Sequence, residues 1–172
     1  MKPKPSKYLD IKTRFDGMYK GNNEIDLFIL TKILGWKVGE NKHPPSPACG
    51  GMYLYPKRIS ATSRGCWLYK DGHYDGFSPS RNLNDAMTVL MKFLVPLGNR
   101  DIKEKFVLDG LGYRCCKHDK DGLHGRWRCY LATAWEIDGQ NPLIYSTADT
   151  PAMAISKAVV QIWTWLKRKH KV

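Results

Sequence analysis

The side chains of this sequence that most clearly suggest a binding chemistry are aromatic and cationic residues that lie close together in the chain. Between residues 53 and 81, and again around residues 126–128, tyrosine or tryptophan occurs beside arginine. Aromatic rings stack on nucleic-acid bases, and arginine guanidinium groups make paired hydrogen bonds to phosphate. The pattern therefore predicts a site for a phosphate-bearing ligand. The candidate ligand-binding residues are Tyr53, Tyr55, Arg58, Arg64, Trp67, Tyr69, Tyr74, Arg81, Arg126 and Arg128.

The net charge of +12 also favours an anionic partner. Residues 1–22 hold six basic and two acidic groups, residues 37–81 hold seven and three, and residues 167–172 hold four basic groups and no acidic one. The excess is concentrated in three segments of the chain. Scattered surface lysines often serve solubility alone, but this concentration favours attraction of phosphate groups.

The sequence contains none of the motifs that commonly mark an enzyme. It has no G-x-x-x-x-G-K-S/T phosphate loop, no dinucleotide-binding glycine pattern, no G-x-S-x-G elbow and no H-E-x-x-H zinc motif. His73 and His124 adjoin glycines in predicted turns, where an exposed histidine is commoner than a general base. We therefore expect a binding protein that is not an enzyme and has no cofactor.

One group of residues has the types that bind metal ions: Cys115, Cys116, His118, His124 and Cys129. Adjacent cysteines on a strand point to opposite faces, and the sequence has no Cys-x-x-Cys pair. Thiols that fill small spaces are the more common alternative. We expect no metal site.

The cellular compartment is suggested by three observations. The five cysteines are odd in number and have no disulfide-framework spacing. No apolar stretch is long enough to span a bilayer, and the residues Met1–Pro5 are not followed by the apolar segment of a signal peptide. We expect a cytoplasmic protein with no membrane association.

Apolar periodicity, caps and breakers predict the elements that must position these side chains. Helices are predicted at about residues 24–34, 83–94 and from Pro151 onward. Strands are predicted at 66–70, 105–117 and 126–137, with a short strand opening at Trp36. The many proline and glycine residues of 39–65 predict an irregular loop.

The strand at 126–137 has two distinct faces. Alternation places Arg126, Arg128 and Tyr130 on one face. The other face suits a core and carries Trp127, Cys129, Leu131, Trp135 and Ile137.

The order of elements predicts the α+β class, with an antiparallel sheet and about three helices. Residues Phe77–Ser80 precede the second helix much as Tyr145–Ala148 precede the third, so we expect two similar ββα-like halves that close one sheet in a layered sandwich. The predicted organisation is a basic N-terminal arm (1–22), a single domain (23–166) with the Pro-rich loop 39–65, and a basic tail (167–172).

Three segments of the sequence resemble the phage ABA sandwich domain family. Ile25–Val38 is similar to the family's opening helix and "GW" strand, Phe77–Met87 to its "PS" helix entry, and Ala148–Ala158 to its "TPxxAI" closing helix. Together they extend over about residues 24–166. The resemblance implies a phage or prophage origin and a layered α/β arrangement, but it supplies no catalytic residues. The basic arm, the Pro-rich loop and the basic tail depart from the family pattern.

Three functions are consistent with these features. The first, which we favour, is binding of an anionic nucleotide, by which a phage protein would sequester a host defence signal in the cytoplasm of the infected bacterium. The second is binding of DNA or RNA through the arm and tail. The third is inhibition of a host protein. Association of the chain with itself is compatible with each of them.

Overall fold

The computed structural model of this 172-residue chain describes residue 9 and residues 11–39, 51–56, 65–69, 72–94, 105–115, 125–134 and 143–169. Within these ranges it is an α+β protein with three helices and seven strands, which confirms the predicted class. The helices are α1 (Asn23–Phe28), which a π-helical segment (Ile29–Ile33) continues, α2 (Leu83–Leu90) and α3 (Pro151–Lys169). The strands are β1 (Lys37–Gly39), β2 (Gly51–Tyr55), β3 (Cys66–Tyr69), β4 (Tyr74–Gly76), β5 (Phe106–Cys115), β6 (Gly125–Thr133) and β7 (Leu143–Ala148).

The strands form two antiparallel sheets, where the sequence led us to expect one. The first sheet has the order β1-β2-β3-β4 and the second the order β5-β6-β7. Each sheet is a meander of sequential neighbours that leads into a helix, α2 after the first and α3 after the second. The two sheets are separated in the chain by α2, which lies between β4 and β5 and packs against α3.

The prediction of an irregular loop over residues 39–65 is wrong for β2. Pro44, Pro45 and Pro47 precede this strand, so none of them interrupts its pairing with β1 and β3. Leu54 of β2 is fully buried, and the neighbouring residues on either side of it are only partly buried. The other residues of the loop, apart from Gly39, Pro56 and Gly65, lie outside the described ranges.

The main core lies between the second sheet and helices α2 and α3. On β6 the inward residues are Cys129 and Leu131, as their alternation with Arg128 and Tyr130 predicts. Helix α3 is buried almost all round from Ala152 to Val160. A smaller core beneath the first sheet is formed by Leu30, Leu54, Cys66 and Leu68.

Residues 11–20, which belong to the predicted basic arm, pack on the domain. The side chain of Phe15 is fully buried and that of Ile11 nearly so. The Leu9 amide donates to the Leu143 carbonyl (3.0 Å), and the Asp149 amide donates to the Tyr19 carbonyl (2.9 Å). We call residues 9 and 11–20 the N-terminal segment, which runs beside the edge of β7. At the other end of the chain, residues 167–169 of the predicted tail form the last turn of α3.

A buried carboxylate joins α1 to the turn that leads into α2. Asp26 accepts hydrogen bonds from the Ser78 hydroxyl (2.7 Å), the Ser80 amide (2.7 Å) and the Ser80 hydroxyl (2.9 Å). The Arg81 guanidinium lies 3.4 Å from the same carboxylate. Burial raises the pKa of Asp26, and its hydrogen-bond donors and Arg81 partly oppose that increase. The contact spans more than 50 residues of sequence and fixes the two elements relative to each other.

We expect Asp26→Ala to lower the free energy of unfolding by about 3–5 kcal/mol, because Arg81 and the Ser80 amide would lose a buried partner. Chemical denaturation measures this change. The control is Glu24→Ala on the same helix, an exposed partner of Arg14 whose loss should cost less than about 1 kcal/mol. Equal losses in the two variants would contradict a special role of the buried carboxylate.

Candidate anion-binding cleft

The second sheet has one face that packs against α3 and one that does not. We call the latter the outer face. On β6 it carries Arg126, Arg128 and Tyr130, which lie opposite to the buried side chains of the same strand, as the alternation of the sequence predicts. Strand register adds Gly110, Gly112 and Arg114 from β5 and Tyr145 and Thr147 from β7.

A cleft of about 620 Å³ opens where the outer face meets the edge of β7. Its walls are the sheet, the N-terminal segment and helix α3. The lining contains four cationic side chains, a single carboxylate and two tyrosine rings, so it has a strong positive excess. The lining residues are Leu9, Ile11, Lys12, Asp16, Arg114, Arg128, Tyr130, Tyr145, Ser146, Thr147, Lys157 and Gln161.

A local turn shapes the wall that the N-terminal segment contributes. The Asp16 carboxylate accepts from the Thr13 hydroxyl (2.8 Å) and from the Thr13 amide (3.2 Å). Phe15, between them, is anchored in the core, where it makes an edge-to-face contact with Phe28. Because the hydrogen bonds of Asp16 and the buried ring of Phe15 both hold this turn, Lys12 and Asp16 have defined positions at the cleft.

Lys157 is the most constrained cation of the cleft. Its ammonium donates to the carbonyls of Asp16 (2.8 Å), Met18 (2.9 Å) and Thr147 (3.1 Å), and the residue is only 4% exposed. Burial lowers the pKa of Lys157, nearby Asp16 raises it and Arg126 lowers it. This side chain ties the N-terminal segment to β7 and α3, and it leaves a fixed positive charge beside the cleft.

Gln161 lies one turn beyond Lys157 on α3 and lines the cleft. Its side-chain oxygen is buried and has no hydrogen-bond partner within the described ranges. A buried acceptor without a donor costs free energy.

Two tyrosines and an arginine form the aromatic part of the cleft. Tyr130 and Tyr145 are cross-strand partners with ring centroids 5.1 Å apart and planes inclined by 31°. The Arg128 guanidinium lies 5.8 Å from the centre of the Tyr145 ring. Rings and guanidinium are thus combined on one surface, as the sequence pattern led us to expect for Arg128.

Arg126 adjoins the cleft without lining it. Its guanidinium lies over the Tyr19 ring at 3.8 Å and 3.9 Å from the Asp149 carboxylate. These contacts hold the N-terminal segment against the second sheet. Arg126 therefore contributes positive potential to the cleft, and its side chain is engaged within the protein.

Four predicted residues form a separate row of rings on the first sheet. The centroids of Tyr55 and Tyr53 are 6.1 Å apart, those of Tyr53 and Trp67 5.0 Å, and those of Trp67 and Tyr69 6.0 Å. All four side chains are half-buried. This aromatic row belongs to a different sheet from the cleft, so the structure does not unite all the predicted residues in one site.

The remaining predicted residues are also outside the cleft. Arg81 bonds to the Asn23 side chain (2.7 Å), the Gly72 carbonyl (3.0 Å) and Asp26, and it covers the Tyr74 ring at 4.6 Å. It therefore serves the fold in this structure, and Tyr74 is its stacking partner. Arg58 and Arg64 lie outside the described ranges.

Sequence reasoning missed several residues of the cleft. Lys157 had a visible signal, since it is a charged residue within a run of small and apolar residues in a helix. Tyr145 lies opposite Tyr130 only once the register of β6 and β7 is known. Lys12 and Gln161 carry no local signal, because a long-range contact places each of them.

Cys66 and Cys129 are free thiols that belong to the smaller and the main core respectively. Cys66 and Cys129 are buried, and burial raises the pKa of each thiol to about 12. Such thiols are poor nucleophiles at neutral pH. In this part of the chain no group of three or more histidine, cysteine, aspartate or glutamate side chains surrounds a metal-sized space. Cys116, His118 and His124 lie outside it, and nothing is described of the Cys115 side chain.

Across the described ranges, no helix combines the length and the apolar character that a membrane crossing requires.

Comparison with protein-family models, with curated proteins and with solved structures finds no match to this chain.

We expect Lys157→Met to release the N-terminal segment, because the variant keeps the apolar stem but removes the ammonium from three carbonyls. Unfolding free energy should fall by about 1–3 kcal/mol. Amide hydrogen exchange of residues 11–20 should accelerate relative to that of β6. The exposed Lys92→Met is the control and should change neither quantity. Unchanged exchange at residues 11–20 would show that other contacts hold the segment.

Proposed function

We propose that this protein binds an anionic nucleotide in the cleft between the outer face, the N-terminal segment and α3. The observation that carries the proposal is the lining, in which Lys12, Arg114, Arg128 and Lys157 face a single carboxylate, Asp16, beside paired tyrosine rings. Phosphate groups account for Lys12, Arg114 and Arg128, to which the charge of Lys157 adds attraction, and a planar base accounts for the rings.

The size of the cleft supports a small ligand. Its volume of about 620 Å³ falls within the ordinary range of about 300–1,000 Å³ for small-molecule sites. The cleft is open to solvent, so a ligand with charged groups keeps part of its hydration. Lys12 and Arg114 are exposed at the cleft, where they can approach phosphate directly.

The polar groups of the lining favour binding over catalysis. The Ser146 hydroxyl donates to the Ala154 carbonyl (2.6 Å), and Asp16 accepts from Thr13. The Ser146 hydroxyl and the Asp16 carboxylate are therefore both engaged by the fold. The described lining has no histidine or cysteine. We infer that the protein acts by holding its ligand.

We base the proposed biological role on the sequence resemblance to the phage ABA sandwich domain family. A phage protein that holds a nucleotide without converting it would act as a sponge for a signal used in host defence. This role places the protein in the cytoplasm of the infected bacterium. It requires tight binding and chemical selectivity more than speed.

Isothermal titration with cyclic, linear and ADP-ribose-type nucleotides should identify at least one ligand. Arg128→Met and Lys12→Ala should each weaken that ligand at least tenfold, since a charge-assisted hydrogen bond contributes about 1.5–3 kcal/mol. Lys92→Ala removes the same charge outside the cleft and should leave affinity within about twofold. The absence of heat with every nucleotide would overturn the proposal.

A second candidate function, nucleic-acid binding, is favoured by one contact. The Arg168 guanidinium donates to the Lys12 carbonyl at 3.2 Å, which brings the end of α3 to the N-terminal segment. Lys167, Arg168 and Lys169 are exposed in the last turn of α3, and we call these three residues and Lys12 the basic patch. A backbone-binding surface needs such clustered cations.

Salt dependence separates the two functions. With four cations in contact with phosphates, the affinity for a single-stranded oligonucleotide should fall with a log–log slope of about −3. A triple variant, Lys167→Gln, Arg168→Gln and Lys169→Gln, should reduce that slope by about 2. A cleft-bound nucleotide should keep its affinity in the triple variant. If the slope does not change, the patch is not the nucleic-acid site.

A further inference from the structure

Gly112 has no side chain at a position where the fold imposes no need for glycine. Its backbone φ is not positive. Within the described ranges, the glycines with a positive φ are Gly35, Gly72 and Gly76. A Cβ added to Gly112 would meet no atom of the described residues within 4 Å, so no close approach among them excludes a side chain either. Glycine inside a strand is unfavourable, because it costs chain entropy and leaves nothing to pack.

The surroundings of Gly112 are those of a binding surface. It lies on the outer face as the cross-strand partner of Arg128, between Gly110 and Arg114 on the same strand face. Arg114 and Arg128 both line the cleft. Gly110 adjoins the ring of Tyr130, whose Cδ2 atom would lie 3.8 Å from an added Cβ. Strand register thus places the bare backbone of Gly112 beside Arg114 and Arg128, and the Tyr130 ring adjoins the neighbouring Gly110.

We propose that Gly112 is the floor of a subsite for the planar base of the nucleotide, next to the phosphate-binding part of the cleft. The inference rests on the proposed function and adds the position at which the base of the ligand lies. The base lies on the backbone at Gly112, with Arg128 across the strand and Arg114 along it. Guanidinium groups stack well on such rings.

The alternative, that glycine serves the irregularity in β5, does not account for Gly112. The register shift lies between Leu108 and Gly110, at Asp109, and pairing is regular again from Gly110 to Cys115. Gly110 is adjacent to the bulge and has a structural explanation. Gly112 lies beyond it and has none, which leaves the open space above it as the feature to explain.

The experiment compares ligands with and without a base. Affinities of the four ribonucleoside triphosphates and of inorganic tripolyphosphate are measured for the full chain, for Gly112→Val and for the control Ala132→Val. Valine suits a strand, so Gly112→Val should fold at least as stably as the parent. Ala132 lies on the same outer face, four residues along β6 from Arg128, which is the cross-strand partner of Gly112, so its variant adds comparable bulk away from the proposed subsite.

In the parent chain, at least one triphosphate should bind about tenfold or more tightly than tripolyphosphate, since a stacked base adds affinity. Gly112→Val should remove that advantage and leave tripolyphosphate binding within about twofold, and Ala132→Val should change neither. Equal binding of all probes by the parent, or an unchanged advantage in Gly112→Val, would overturn the subsite. An equal loss of affinity for every probe in Gly112→Val would also overturn the subsite. If none of the probes binds, tripolyphosphate included, the result would instead contradict the proposed function itself.

Discussion

The buried ammonium of Lys157 is the interaction on which the candidate site depends. Three carbonyls from two separate parts of the chain converge on it, and no other described contact joins the N-terminal segment, β7 and α3 at one atom. A buried cation is tolerable only when its donors are satisfied, and here all three are. The same constraint that closes the N-terminal segment over the edge of β7 therefore places a fixed positive charge beside the cleft. Stability and ligand attraction share one residue.

Much of the fold could be predicted from local patterns. Asn22 and Asn82 cap the two shorter helices through their side-chain oxygens, and alternation on β6 places Arg128 and Tyr130 opposite the buried Cys129. The number of sheets could not be predicted, because it depends on which strands pair after α2. Nor could the composition of the cleft, because Lys12, Tyr145 and Lys157 lie far apart in the chain. Residue types identified the chemistry, and long-range pairing determined which of the candidates meet.

The positive charge has two different structural uses, which composition alone does not distinguish. Arg81 and Arg126 are engaged with carboxylates and tyrosine rings, and they hold loops and the N-terminal segment in place. Lys12 and Arg114 are exposed at the cleft. The net charge of +12 therefore overstates what is presented to a ligand, since part of it stabilises the fold. The useful quantity is the local excess around one concave surface.

Strand glycines in both sheets make room for aromatic rings of the protein itself. On the first sheet, the aromatic row lies over glycine backbone: Gly39 is covered by the rings of Tyr53 and Tyr55, and Gly51 by the ring of Tyr69, all close to 3 Å from where a Cβ would stand. There glycine provides room for rings of the protein itself. Aromatic side chains commonly cover strand glycines in this way. On the second sheet the Tyr113 ring covers Gly125 in the same way, and the Tyr130 ring adjoins Gly110, but no described side chain lies over Gly112. Gly112 therefore differs from these glycines within the described ranges, and its open backbone is where we propose that the base of the ligand lies.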